Sequence, residues 1–125
     1  MADEMNPDGD RLLDLAFAAG IEIIVRGDES RTQLARRVVE EREPISARAV
    51  RLLEGFMRDH GTFELSSVEV FPLATSKEGD FVFRYSFIAD RDEHEYGYTY
   101  FEVYFLCHEP PQEPYWPFKF TVGFH

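Results

Sequence analysis

The densest chemical potential in the chain lies at Asp90, Asp92, Glu93, His94 and Glu95, four carboxylates and an imidazole within one short turn. Oxygen-bearing residues at alternate positions, Asp90-x-Asp92-x-His94, are how a calcium loop begins. The pattern fails at its turn, because Glu95 stands where that loop needs glycine. A loop of the required length begun at Asp90 would also end on Phe101, one position short of the carboxylate of Glu102. The expectation is therefore a solvated acidic turn that keeps the neighbouring sheet edges soluble, or an anionic patch facing a partner. The second candidate is Cys107-His108, a thiol beside an imidazole. Adjacent residues on a strand point to opposite faces, so the two do not meet, and Cys107 reads as a small buried apolar residue. The other histidines, His60, His94 and His125, are scattered. The chain contains no glycine-rich phosphate loop, no G-x-S-x-G elbow and no H-E-x-x-H pair. No metal, no cofactor and no catalytic constellation is expected, and the protein reads as a non-enzyme.

Charge narrows the partners. With 24 acids against 13 bases in 125 residues the net charge is -11, which disfavours nucleic acid and anionic membrane surfaces and favours a basic protein. No apolar run approaches the ~20 residues of a membrane span. Met1 to Asp10 hold four acids and no Lys or Arg, unlike a secretory leader, and the lone Cys107 cannot form an internal disulfide. A bacterial-type cytoplasmic protein is the resulting expectation.

The elements that must carry these residues change character near Gly61. Residues 1–60 hold nine of the eleven arginines and only two aromatics, Phe17 and Phe56, whereas residues 61–125 hold the other 17 aromatics. The period predicts helices from Asp10 to Ala19, from a Ser30–Gln33 capping box to about Glu43, and from Ile45 to His60. In the last of these, Ile45, Ala49, Leu52, Leu53, Phe56 and Met57 form one apolar face. Arg48, Arg51 and Arg58 fall on its polar side among Glu54 and Asp59, a salt-bridged solvent face. Ile21 to Arg26 fits neither period cleanly. Beyond Gly61 the period is two. Phe63 and Leu65 are odd while Val68 and Val70 are even, which predicts a β-bulge near Ser66–Ser67. Phe81 to Phe87, Tyr96 to Cys107 and Phe118 to Phe124 supply three more strands. The fold expected is α+β in a single domain, 1–125, helical over 10–60 and sheet over 61–125. N-terminal helices pack on one face of a roughly four-stranded antiparallel meander.

In the third of these strands Thr99, Phe101, Val103, Phe105 and Cys107 suit the core. Tyr96, Tyr98, Tyr100, Glu102 and Tyr104 face the other way, together with Arg84, Ser86, Lys119 and Thr121. An open, tyrosine-rich face is thus expected, with Tyr115–Trp116 as a rigid corner between Pro114 and Pro117. Tyr and Trp concentrate at binding hot spots, although cross-strand packing uses them too.

Leu65-Ser66-Ser67-Val68, Gly79 followed by the aromatic strand through Tyr85 and Phe87, and Asp92-Glu93-His94 with Gly97 resemble a group of uncharacterised small acidic bacterial domains of the immunity-protein type. The likeness covers residues 61–105, and Tyr98 to Phe105 is more aromatic than that group's strand. It implies a binding role without catalysis. Together these readings predict an immunity protein or inhibitor that neutralises a basic toxin or other protein. Asp90, Asp92, Glu93, Glu95, Tyr98, Tyr100, Tyr115 and Trp116 are its partner-binding residues. The alternative is a small-ligand or enzymatic domain with an aromatic pocket between helices and sheet, reached by Arg84 and His125. Homo-oligomerisation through the tyrosine face is a third reading.

Overall fold

The change of period at Gly61 is where helices give way to strands in the computed structural model, which describes residues 7–57, 61–73, 77–89, 99–109 and 112–124. The order is α1 (Pro7–Ala19), β1 (Glu22–Val25), α2 (Glu29–Glu40), α3 (Arg42–Phe56), β2 (Gly61–Val70), β3 (Phe81–Ala89), β4 (Thr99–Cys107) and β5 (Tyr115–Phe124). The α+β expectation holds, with a sheet richer by one strand. β1 to β5 lie side by side in chain order. β2 through β5 form the antiparallel meander, and β1, from the segment that fitted neither period, adds to β2 in parallel.

α1 ends where glycine lets it. Gly20 has φ +71, its N–H bonds Phe17 O, and Ile21 N–H bonds Ala16 O, the paired closure of a Schellman motif. α2 starts earlier than the Ser30–Gln33 box predicts. Asp28 is the cap, accepting hydrogen bonds from the Ser30 backbone N–H at 3.0 Å and from the Ser30 hydroxyl. Glu41 then breaks the chain between α2 and α3, and α3 stops at Phe56 rather than at His60. Pro44 sits inside the first turn of α3, where its missing N–H costs little.

The expected bulge is present. Leu65 pairs with Tyr85 but Ser67 pairs with Arg84, leaving Ser66 as the extra residue, its hydroxyl bonded to Arg84 O at 3.0 Å. The insertion moves Val68 and Val70 onto the face already holding Phe63 and Leu65. On that face Phe81, Phe83, Phe101, Val103 and Phe105 are fully buried beneath Leu34, Val38, Val39, Ala49 and Leu53 of the helices. Phe81 stacks on Phe105 at 4.8 Å, and Phe63 meets Phe101 edge-on at 5.0 Å.

Arg31 is part of this interior although it is charged. It continues the stripe Leu34, Ala35 and Val38 back by one turn, and only 6% of it is exposed. Its Nε donates to Phe71 O at 2.8 Å and its Nη2 to Asp80 Oδ1 at 3.0 Å, while the other Asp80 oxygen accepts Cys107 N–H at 2.8 Å. The guanidinium thereby ties α2 to the end of β2 and the approach to β3, and Asp80 carries the link on to the end of β4.

At Tyr104 the opposite face of the sheet is covered, not open as expected; Tyr96 and Tyr98 lie outside the described residues. Glu69 is gripped by Arg26 and by Arg84 (2.9 Å), Arg84 reaches on to Glu102 at 2.7 Å, and Tyr104 donates its hydroxyl to Glu102 at 3.0 Å. Phe71 swings over from the end of β2 to lie parallel to the Tyr104 ring at 6.3 Å. Together they bury Val82 completely and leave Tyr104 only 8% exposed. Lys119 caps the same ring at 4.2 Å. The register does place Thr121 opposite Glu102 and Lys119 opposite Tyr104, so the expected side assignments hold; what differs is the cover.

Candidate functional site

β5 ends the sheet, and among the described residues no strand pairs with its outer side. A free edge rich in exposed rings is unusual for a strand that only needs to stay soluble. Here Trp116 is 46% exposed, and Phe118 and Phe120 are 38% exposed each. A second bulge distributes them. Tyr104 pairs with Lys119 but Phe105 pairs with Pro117, so Phe118 is the extra residue. Its ring lies over Gly79, where the space beside φ +83 has no room for a Cβ. Trp116 and Phe118 share one flank of the strand, in a groove of about 570 Å³ completed by Leu106, His108, Gln112 and Glu113. Phe120 lies on the other flank, 5.7 Å edge-on from Phe56 of α3.

α3 extends that flank. Arg48, Leu52 and Phe56 recur at i, i+4 and i+8, so they form one row. Leu52 and Phe56, expected in the core, are exposed instead, because the face centred on Ile45, Ala49 and Leu53 is the one that meets the sheet. Arg48 closes the row against β5. Its Nη1 bonds Glu113 at 2.7 Å and Tyr115 O at 3.3 Å, and its guanidinium lies 4.9 Å from the Trp116 ring centre. The expected pairing of Arg48 within its own helix is thus replaced by a bridge to the proline-rich turn.

Of the sequence-derived partner residues, Trp116 lies on this edge. Tyr115 turns inward, its ring edge-on to Phe81 at 5.7 Å and its hydroxyl 3.5 Å from Glu41. Tyr100 is half-buried, with its ring over Gly123. Asp90, Asp92, Glu93, Glu95 and Tyr98 lie outside the described residues. Leu52, Phe56, Phe118 and Phe120 were not among the residues expected to bind. The signal for the last two was the mixed parity of aromatics from Tyr115 to Phe120, which one buried face cannot absorb.

The pocket of the alternative reading also has a counterpart. A cleft of about 420 Å³ lies between the end of α1, the start of α3 and the first half of β2, with Phe63, Leu65 and Tyr85 among its walls. Arg84 is on the opposite face of the sheet and His125 lies outside the described residues. Tyr85, only 3% exposed, donates its hydroxyl to Ser46 Oγ at 2.9 Å; burial pushes its phenol well above the ordinary value.

Cys107 packs partly against the core, and burial followed by the nearby Asp80 carboxylate pushes its thiol up to about 12. At neutral pH it is therefore a thiol, not a nucleophilic thiolate. Its reaction with a disulfide reagent is expected to run at least about a hundredfold slower in the native protein than in urea. Equal rates would show the thiol to be exposed and active. Among the described residues no group of three or more His, Cys, Asp or Glu could hold a metal ion, and no helix is long and apolar enough to cross a membrane. No protein-family model, no curated protein and no solved structure matches the chain.

Proposed function

We propose that this chain is a protein-binding module, an inhibitor of the immunity type, that docks a basic protein along the β5 edge. The observation that carries the reading is the set of exposed apolar side chains along the outer edge of β5, Leu52, Phe56 and Phe120 on one flank and Trp116 and Phe118 on the other. Exposed apolar side chains gathered along one edge in this way mark interaction sites. Trp and Phe supply large area at low entropy cost, and Arg48 provides a charged anchor beside them. An interface of standard size covers ~800 Å² on each partner, enough to span both flanks of one strand and the adjoining helix row. The net charge of -11 then selects a basic partner and accelerates its approach at low salt.

The test is affinity capture from host lysate with the immobilised protein and with a Trp116→Ala/Phe120→Ser double variant, at about 50 mM and about 400 mM salt. A basic protein retained by the first, lost by the second and weakened by salt is the expected result. Trp116 is the sole tryptophan, so the purified partner should also shift its emission with saturable stoichiometry. Identical capture by both proteins would overturn the reading.

A further inference from the structure

We propose that the cleft between α3 and β2 receives the C-terminal end of an extended peptide, which adds as a short strand to β2 and sets its terminal carboxylate at Arg42. This site is at the opposite border of the sheet from β5, so it stands or falls separately from the docking edge.

The first observation is a half-edge. β3 pairs with β2 along its length, but β1 pairs only with Ser67 to Val70. Among the described residues the far side of β2 has no strand neighbour from Gly61 to Ser66, and no backbone hydrogen bond outside the ladder reaches it. Alternate N–H and C=O groups on that side are therefore available to a guest strand, a recurring mode by which sheets take up peptides. Six residues span about 20 Å, enough for an extended guest of similar length. The β-bulge at Ser66 marks the border between the paired and the unpaired half.

The second observation is charge. Arg26, Arg31, Arg36, Arg48 and Arg84 each hold a carboxylate. Arg42 is half-buried on the cleft wall, spends one N–H on Val39 O at 2.8 Å, and has no carboxylate partner among the described residues. It opens α3, whose cap residue Glu41 makes no side-chain capping hydrogen bond to the helix, so the positive end of the helix lies beside the same guanidinium. A planar carboxylate is the group this fork fits. Glu43 and Glu64 also line the cleft, and they complement basic residues further up the peptide rather than a second acid.

The third observation is the floor. Tyr85 donates to Ser46, so the Ser46 hydroxyl proton remains to be offered into the cleft. Around it Ile21, Val50, Phe63 and Leu65 form an apolar lining for the last side chain of the guest. A strand edge, a carboxylate anchor and an apolar socket in one place are the three parts that reading a peptide terminus requires.

The probe is a random hexapeptide library presented with free C-terminal acids and, in parallel, as C-terminal amides. Wild-type protein is expected to select free acids that end in an apolar residue and carry Lys or Arg upstream, with at least tenfold weaker binding to the matching amides. Arg42→Gln should lose at least tenfold towards acids and nothing towards amides. Val50→Trp, which fills the cleft without altering charge, should abolish binding, and Trp116→Ala/Phe120→Ser should leave it unchanged. Backbone amide shifts on adding a selected peptide should concentrate at residues 61–66. Equal binding of acids and amides, indifference to Arg42→Gln, shifts centred on β5, or a library without binders would each overturn the proposal. Arg42-dependent binding of small aromatic acids with no peptide selected would replace it with a metabolite site.

Discussion

Arg31→Met is expected to destabilise the protein by about 3 kcal/mol and to lower its melting temperature by roughly 10 °C. Three changes add. The buried carbonyl of Phe71 loses its donor, Asp80 loses its counter-charge, and the three segments that Arg31 joins lose their common fastener. A buried acceptor stranded without a partner costs more than a hydrogen bond is worth when present. Arg31→Lys keeps the charge but not the planar fork that reaches Phe71 O and Asp80 together, so about half the loss should remain. Adding Asp80→Asn to Arg31→Met should restore part of the stability, because it removes the uncompensated charge. Urea unfolding of the four proteins checks the series, and an Arg31→Met midpoint within error of wild type would show the fastener to be idle.

The second large effect is acid sensitivity through Glu69. Its side chain is only 8% exposed, and burial on its own would raise its pKa. Hydrogen bonds from Arg26 and Arg84, with their charges, outweigh burial and hold the carboxyl below the ordinary value. A folded pKa below the unfolded one means that the carboxylate contributes stability above the ordinary value near 4.5, and that this is lost as pH falls through the depressed value. Glu69→Gln should therefore cost about 2 kcal/mol near neutrality, less than a fully enclosed pair because Arg26 is largely exposed. The gap between variant and wild type should close as pH falls below about 4. A gap independent of pH would place the cost in packing instead of charge.

The residues that made the fold legible are those whose neighbours along the chain decide their surroundings. Phe63, Leu65, Val68 and Val70 change parity, and a sheet buried on one face can accommodate that only by a bulge, which is where Ser66 lies. Phe81, Phe83, Tyr85 and Phe87 alternate without interruption, and their face is buried throughout. β1 escaped because four residues hold too few alternations to outvote Ile24. Tyr104 lies on the expected face but is covered there, because its cover is Phe71, distant in sequence and brought in only when β2 ends and turns. Arg31 carried a readable mark, a charge in line with Leu34, Ala35 and Val38, but which carbonyl and carboxylate it would meet depends on strands decided elsewhere. The docking edge was half legible. Trp116 stood out by type, whereas Phe56 and Leu52 looked like core until the direction of the helix was known.

The parallel pairing of β1 sets a requirement on the chain between it and β2. In each of the other pairings ten residues or fewer separate the two strands along the chain, but Glu22 meets Ser67 across 45 positions. Closing a flexible loop of that length costs about 1.3 kcal/mol more than closing one of ten residues, and four residue pairs offer little to offset it. The intervening chain is not a flexible loop: α2 and α3 occupy most of it and pack on the sheet that β1 joins. Helix formation shortens the path before the ends meet, so the smallest strand of the sheet depends on the two helices for its entropy of closure as much as on its own hydrogen bonds.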